Sequence, residues 1–310
     1  MDSVDKSRRA ALNTLGVFGA GMWLLPSFPF LSNEQNMIKR KIPSSGELLP
    51  IVGLGTWQQF DVGLSDVERR QLTEVLTMMI EKGGRLIDSS PMYGRAEAVI
   101  GELAAPPAIN PNLFYATKVW TTGKEAGIRE MNDSMAKMRR KTLDLMQVHN
   151  LVDYKTHLQT LYKWKEEGKI RYIGITHYTA SAHETLERVL KSEKIDFVQF
   201  NYSIRERNAE KRLLNAAQEK GVAVIINEPF ESGSLFNAVK GKKLPEWAAE
   251  NDIQSWGQYF LKYILANEAV NCVIPGTSNP KHVVDNMGAG FGRLPDEKLR
   301  LKMIEYLSTI

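Results

Sequence analysis

Three short apolar stretches of the sequence each end in an ionisable side chain. The first closes at Asp88, the second at Lys118 and the third at His149. The chain turns at Ser-Ser-Pro directly after Asp88, and Tyr93 comes five residues after Asp88. This repetition places an acid, a base and an imidazole at the ends of successive buried strands. The four residues are therefore candidates for one shared site.

These residue types suit the delivery of a proton to an oxygen. A carboxylate buried at a strand end is costly unless a cation meets it, and Lys118 is the candidate partner of Asp88. An ammonium beside Tyr93 lowers the cost of removing the phenol's proton, so the phenol becomes a usable acid. A neutral His149 could hydrogen-bond a carbonyl oxygen near that phenol while the carbon gains a hydride. The alternative to a catalytic role is that Asp88 and Lys118 form a purely structural ion pair.

The elements that must position these side chains alternate between strand and helix patterns. Between the apolar segments lie sequences with helical spacing, each long enough for a right-handed crossover. Eight such units predict an α/β fold, a (β/α)8 TIM barrel, whose strand ends build a site at one face. A β-hairpin is predicted over 38–50, ahead of the barrel, and an extra C-terminal helix over 296–307. The eight strands are predicted over residues 51–56, 85–90, 113–119, 143–149, 170–176, 196–202, 222–229 and 271–276.

The composition is that of a globular chain. Of the 310 residues, 43% are hydrophobic and 25% are charged, which is enough apolar material for one large core. The net charge is only +4, and no basic run is interleaved with aromatic residues, so nucleic acid is not an expected partner. Cys272 is the single cysteine, which excludes an intramolecular disulfide, and its apolar neighbours predict a buried thiol. No spacing of His, Asp or Glu predicts a metal site.

Residues 1–37 differ from the remainder, which we expect to form one domain over 38–310. A basic run at 6–9 precedes an apolar stretch at 10–31, and the sequence then becomes polar. The Ser-Arg-Arg run resembles the motif of a twin-arginine signal, which implies contact with the twin-arginine export machinery and a periplasmic location. The alternative is a membrane tether through 10–31, because about 20 apolar residues can span a bilayer. The chain would then be anchored at the inner membrane, or, without export, stay in the cytoplasm.

Seven sequence blocks together resemble the aldo-keto reductase family, from residue 38 to about residue 290. They are GLGTW at 53–57, IDSSPMYG at 87–94, ATKVW at 116–120, LDLMQVHN at 143–150, GKIRYIGIT at 168–176, FVQFNYS at 197–203 and IPGTSNPKHVVDN at 274–286. The resemblance implies a barrel that binds a nicotinamide dinucleotide, and a catalytic tetrad of Asp88, Tyr93, Lys118 and His149. Tyr93 would be the general acid in reducing an aldehyde or ketone, a small carbonyl substrate, to an alcohol. The alternative is a dinucleotide-binding regulatory or structural subunit with little turnover.

The resemblance also assigns residues to the cofactor, expected to be NADP(H) rather than NAD(H). Gln199 matches a residue that hydrogen-bonds the nicotinamide carboxamide, and Thr176-His177 stands where the family usually has Ser-Asn. The complete predicted set is Gly55, Thr56, Trp57, Asp88, Thr176, His177, Gln199, Phe230, Ser232, Gly276, Thr277, His282, Asp285 and Asn286.

Two positions depart from the family pattern. Asn227 stands where the family has an aromatic residue that stacks on the nicotinamide, and Phe230 is the candidate substitute. Gly276 and His282 stand where relatives often have Lys and Arg, and the loss of a guanidinium fork weakens the case for binding a 2'-phosphate.

Four more residues carry expectations of their own. Trp57 and Trp120 each follow a strand end, and the resemblance implies that they line the substrate pocket; packing in the core is their alternative. His157 and His183 fall within predicted helices, and we expect both at the surface.

Overall fold

A computed structural model describes residues 36–107 and 109–310. The export signal or tether predicted over 1–37 therefore lies, except for its last two residues, outside the described part. Within the described ranges, no helix combines the length and the apolar character needed to cross a membrane.

Eight parallel strands form the predicted barrel. They follow chain order around the sheet, so each strand pairs with its neighbour in sequence. Parallel bridges from Val52 to Val273 and from Gly55 to Gly276 join the last strand to the first. The (β/α)8 prediction is thereby confirmed, although the first strand is shorter than expected. The strands are β3 (Leu54–Gly55), β4 (Leu86–Asp88), β5 (Phe114–Val119), β6 (Leu143–His149), β7 (Ile170–Thr176), β8 (Phe197–Asn201), β9 (Ala223–Asn227) and β10 (Val270–Val273).

Helices occupy the connections between the strands, and an extra helix ends the chain as predicted. Side chains at the N-caps start several of them: Ser65 accepts a hydrogen bond from the Glu68 backbone, and Asp296 accepts one from the Leu299 backbone. The described helices are α1 (Asp66–Glu81), α2 (Ala96–Leu103), α3 (Lys124–Lys137), α4 (Tyr154–Glu166), α5 (His183–Ser192), α6 (Leu213–Lys220), α7 (Ser234–Ala238), α8 (Trp256–Leu265), α9 (Pro280–Gly288) and α10 (Glu297–Ser308).

The predicted hairpin closes the end of the barrel opposite the site. Its strands β1 (Lys39–Lys41) and β2 (Leu48–Pro50) pair antiparallel. Ile42 and Leu49, both fully buried, join the apolar cluster inside the barrel, which also contains Cys272. The buried thiol expected from the sequence is thus confirmed, and burial raises its pKa. A plug of this kind removes the barrel interior from water and leaves only the strand C-termini for chemistry.

Arg40 fastens this hairpin to the barrel. Its guanidinium donates to the backbone carbonyl of Leu265 at 2.6 Å, to that of Asn267 at 2.9 Å, and to that of Val270. Leu265 is the last residue of α8, so Arg40 satisfies carbonyls that the helix leaves unpaired and places a cation at the negative end of the helix dipole.

We expect Arg40→Met to lower the free energy of unfolding by about 2 kcal/mol, because the variant leaves part-buried carbonyls without a donor. Urea denaturation followed by circular dichroism measures the change. Arg188→Met is the matched control, since its ion pair with Glu184 is largely exposed and weak. Equal stability of the two variants would show that Arg40 does not fasten the hairpin.

Candidate active site

The ends of β4, β5 and β6 bring three of the predicted residues to one face of the barrel. Asp88 and His149 are the last residues of β4 and β6, and Lys118 is next to last in β5. The strands are immediate neighbours, with Asp88 opposite Ala116 and Lys118 opposite Gln147. The side chains therefore converge without any contribution from distant loops.

Asp88 and Lys118 form a buried ion pair. Lys118 Nζ lies 2.6 Å from Asp88 Oδ2 and donates to the Ser89 carbonyl at 2.6 Å. Lys118 is 0% exposed and Asp88 is 2% exposed, so neither charge is stabilised by water. Desolvation alone would lower the pKa of Lys118, but attraction to Asp88 and to Tyr93 outweighs it and raises that pKa, so the ammonium stays charged.

Two glutamines complete the environment of Asp88. Gln147 Nε2 and Gln199 Nε2 each donate to Asp88 Oδ1 at 3.0 Å. Gln147 is absent from the residues predicted on sequence grounds. The available signal was its place two residues before His149, because alternate residues of a strand face the same side.

Tyr93 lies beside Lys118 and His149. Lys118 Nζ is 4.9 Å from the centre of the Tyr93 ring, and the Tyr93 and His149 rings meet edge to face at 5.9 Å. Burial raises the pKa of the Tyr93 phenol, and the Lys118 ammonium opposes that shift without cancelling it. The acidifying effect predicted from the sequence is therefore present, but desolvation of the phenolate is larger. The phenol stays protonated at neutral pH.

His149 is held as a neutral ring. Its Nδ1 lies 2.9 Å from the Ser90 hydroxyl, and its centre lies 6.3 Å from that of the Trp120 ring. Burial, and then repulsion from Lys118, lower the pKa of His149 to about 2. An uncharged imidazole with one N–H can donate a hydrogen bond to a carbonyl oxygen, as expected from the sequence.

The residues predicted at the nicotinamide end continue this network. Gln199 Oε1 accepts from the Thr176 hydroxyl at 3.2 Å and from Asn227 Nδ2 at 3.2 Å. The Thr56 hydroxyl donates to the Asp88 carbonyl at 2.9 Å. Thr56, Thr176 and Gln199 thus lie within one or two hydrogen bonds of the ion pair.

Phe230 and Ser232 lie on the loop after β9. The Phe230 ring packs against Phe236 at 4.7 Å and Phe260 at 6.4 Å, in an aromatic cluster with α8. Ser232 donates its hydroxyl to Glu228 Oε2 at 2.9 Å. Stacking of Phe230 on a nicotinamide stays a prediction.

The residues predicted at the adenine end form a separate group at the end of β10 and on α9. Gly276 bridges to Gly55, whereas Thr277 Oγ1 lies 3.5 Å from His282 Nδ1. Asp285 accepts from the Ser255 hydroxyl at 2.7 Å and from Gln258 Nε2 at 3.0 Å. These two bonds tie α9 to α8, so Asp285 has a structural role besides the predicted one. Asn286, the remaining member, is buried on α9.

The two aromatic residues predicted to line the pocket are both partly open to solvent. Trp57 is 45% exposed and Trp120 is 42% exposed, so neither belongs to the core. Trp120 lies near His149, and its loop is held by a hydrogen bond that His157 Nε2 donates to the Thr121 carbonyl at 2.7 Å. Their contact with substrate stays a prediction.

The surface location expected for His157 and His183 is wrong. His157 is 0% exposed and packs where Gly127 leaves room, since a Cβ at Gly127 would lie 2.5 Å from the imidazole. His183 is 4% exposed, and its Nε2 lies 3.0 Å from Asn201 Oδ1. His157 bonds the Thr121 carbonyl in the loop after β5, and His183 bonds Asn201 at the end of β8. The sequence pattern could not reveal either partner.

Across residues 36–107 and 109–310, no cluster of three or more His, Cys, Asp or Glu side chains is arranged to hold a metal ion.

Comparison with known proteins gives a consistent result. The model of the aldo/keto reductase family matches residues 51–302. An aldo-keto reductase of Strobilurus tenacellus is 27% identical over 291 residues, covering 80% of this chain and 84% of that protein. Glyoxal reductase of Bacillus subtilis is 25% identical over 232 residues, covering 73% of this chain and 81% of that protein. A crystal structure of an aldo-keto reductase from Klebsiella pneumoniae with NADPH has the same fold, with a TM-score of 0.73 at 22% identity, covering 87% and 96% of the two chains.

The buried ion pair leads to a stability prediction. Lys118→Met leaves the Asp88 carboxylate buried without a cation, so we expect a loss of about 3–5 kcal/mol in the free energy of unfolding. The double variant Asp88→Asn/Lys118→Met should lose less, because it buries no unpaired charge. Urea denaturation of the three proteins measures both changes. A double variant less stable than Lys118→Met alone would contradict this explanation.

Proposed function

The chain belongs to the aldo/keto reductase family, and from this premise we propose that it reduces an aldehyde or ketone to an alcohol with a nicotinamide dinucleotide. The observation that carries the proposal is that Asp88, Tyr93, Lys118 and His149 lie close together at the C-terminal ends of β4, β5 and β6. The phenol is protonated, the imidazole is neutral and the ammonium is charged, which are the states that carbonyl reduction requires.

The residues present fit a nicotinamide dinucleotide. A buried acceptor, Asn227 Oδ1, has no donor among the described residues and lies in the network around Gln199. Gly55 lies opposite Asp88 and bridges to Gly276, so the backbone beside the ion pair carries no side chain at either position. We propose that Thr56, Thr176, His177 and Gln199 flank the nicotinamide, and that Thr277, His282 and Asn286 hold the adenosine end. When bound, the dinucleotide supplies the hydride that reduces the carbonyl carbon.

Each of the four central residues, Asp88, Tyr93, Lys118 and His149, then has its own role. Tyr93 gives its proton to the carbonyl oxygen as general acid, and His149 holds that oxygen by a hydrogen bond. The Lys118 ammonium, kept charged by Asp88, stabilises the phenolate left on Tyr93. Trp57 and Trp120 line the substrate pocket and exclude water from it, which strengthens these polar contacts.

We propose NADP(H) as the preferred cofactor, with NAD(H) as the alternative. Two relatives whose names specify a cofactor differ: one from Schizosaccharomyces pombe is named for NADP(+), and a methylglyoxal reductase of Escherichia coli is named NADH-specific. Here Lys281 and His282 are the cationic or titratable groups at the start of α9. Dissociation constants for NADPH and NADH, measured by quenching of tryptophan fluorescence, decide between them.

We propose a small aldehyde as the first substrate to test. Two relatives are named glyoxal reductase and methylglyoxal reductase. A panel of glyoxal, methylglyoxal and larger aldehydes, followed by dinucleotide absorbance, tests this. The assembled site favours turnover over a purely dinucleotide-binding subunit, and tight dinucleotide binding without oxidation by any carbonyl in the panel would reverse that preference.

Export by the twin-arginine machinery also stays a proposal. The Arg8-Arg9 pair followed by the apolar stretch supports it. Replacing both arginines with lysine should shift the protein from the periplasmic to the cytoplasmic fraction of the cell. A membrane fraction that retains the protein in both cases would favour the tether instead.

The general acid can be tested directly. We expect Tyr93→Phe to lower kcat by at least about 100-fold, which is the usual effect of losing a general acid, while the dissociation constant for the dinucleotide stays nearly unchanged. Steady-state kinetics and fluorescence titration measure the two quantities. Tyr162→Phe makes the same chemical change at a hydroxyl bonded to Glu193, outside the site, and should be neutral for kcat. Undiminished turnover in Tyr93→Phe would remove Tyr93 from the mechanism.

The pH dependence of reduction follows from the two pKa shifts. Because Tyr93 must be protonated to act, kcat should fall as pH rises through a phenol pKa above its ordinary value of 10.0. His149, with a pKa of about 2, should add no acidic limb above about pH 5. A pH profile of kcat measures both. A limb near pH 6.5 that disappears in His149→Gln would show that the imidazole is protonated during turnover, against this assignment.

A further inference from the structure

The C-terminal end of β9 carries a hydrogen-bond acceptor that the protein does not use. Asn227 Nδ2 donates to the His177 carbonyl at 3.3 Å and to Gln199 Oε1 at 3.2 Å. These two oxygens fix the amide orientation, because a flipped amide would set oxygen against oxygen. Asn227 Oδ1 is then buried with no donor among the described residues, a state that proteins seldom leave without a reason.

His177 offers the complementary group. Its Nδ1 accepts hydrogen bonds from the Tyr178 backbone at 3.0 Å and the Thr179 backbone at 3.3 Å. A nitrogen that accepts carries no proton, so the proton of the neutral ring sits on Nε2. No residue of the described chain pairs with Nε2, and Tyr178 holds the ring plane by stacking at 5.6 Å. His177 directly follows Thr176, which lies opposite His149 in the pairing of β6 with β7, so it is next to the reaction centre along the strand ends.

The Gln199 side chain, in contrast, has no unused hydrogen-bond donor or acceptor. Its Nε2 donates to Asp88 and lies 3.3 Å from Gln147 Oε1, and its Oε1 accepts from Thr176 and Asn227. If Gln199 bonded a ligand through its amide, one of these contacts would have to break. The unused donor and the unused acceptor at this edge of the site both belong to residues that depart from the family pattern.

We propose that His177 and Asn227 form a clamp for the carboxamide of the nicotinamide ring. His177 Nε2–H donates to the carboxamide oxygen, and Asn227 Oδ1 accepts from the carboxamide N–H. The hydrogen bond from Asn227 Nδ2 to the His177 carbonyl ties the two halves together. Asn227 thereby orients the ring by hydrogen bonding at a position where the family pattern expects stacking. This clamp rests on the proposed function, since it requires that the chain binds a nicotinamide dinucleotide.

The clamp predicts a specific discrimination between ring substituents. A 3-acetylpyridine dinucleotide keeps the carbonyl oxygen but has a methyl group in place of the amino group. It can accept from His177 but cannot donate to Asn227. Replacing Asn227 should therefore weaken binding of the natural dinucleotide and leave binding of the acetylpyridine analogue nearly unchanged.

Fluorescence titration of the full-length protein with NADPH and with its reduced 3-acetylpyridine analogue tests this. We expect Asn227→Ala to weaken NADPH binding about tenfold, the effect of one lost hydrogen bond, and to change the affinity for the analogue less than about twofold. His177→Leu should weaken both ligands by a similar factor. His177→Asn should restore them, because its side-chain oxygen can accept from the backbone while its amide still donates.

Binding of 2'-phospho-ADP-ribose, which lacks the nicotinamide, should be equal in all variants and so reports intact folding. Equal weakening of NADPH and the analogue by Asn227→Ala, or no weakening of either, overturns the clamp while leaving reduction by the wild-type protein intact. A wild-type protein that binds neither NADPH nor NADH overturns both the clamp and the proposed function.

Discussion

The site depends on a salt bridge from which water is excluded. Burying Lys118 and Asp88 costs more than their attraction returns unless the remaining donors and acceptors also find partners. Here they do: the ammonium also reaches the Ser89 carbonyl, and the second carboxylate oxygen takes the amides of Gln147 and Gln199. These contacts join β4, β5, β6 and β8. The same requirement that stabilises the charge therefore holds four strand ends in register around the place where a substrate must sit.

Two opposed effects act on Tyr93. The ammonium favours the phenolate, whereas the half-buried surroundings disfavour any charge on the ring, and the second effect is larger. A phenol in this state keeps its proton until a more basic oxygen is beside it, such as a carbonyl oxygen that gains negative charge. His149 follows the same physics in the opposite sense, since burial and Lys118 both keep it neutral. Burial thus sets the protonation of both groups that would touch the substrate oxygen, and the Lys118 ammonium opposes that effect at Tyr93 and reinforces it at His149.

The sequence predicted the barrel, the hairpin and the strand-end positions of Asp88, Lys118 and His149 because those depend on local pattern: an apolar run indicates a strand, and its last residues mark the strand end. It could not predict which side chains would meet across the barrel. Strand alternation puts Gln147 on the same side as His149, but its contact with Asp88 and the unpaired oxygen of Asn227 depend on the register between strands, which local pattern does not contain. The burial of His157 has a related cause, since the space that it fills comes from Gly127 on another helix.

The protonation state of Tyr93 is the quantity on which this mechanism rests. A carbon-13 NMR titration of protein labelled at the tyrosine Cζ positions, with the Tyr93 resonance assigned by its loss in Tyr93→Phe, measures that state directly. The expected result is a Tyr93 resonance that keeps the chemical shift of the protonated phenol from neutral pH to beyond pH 10. A Tyr93 resonance at the phenolate position at neutral pH would contradict the mechanism, because the group would then have no proton to give.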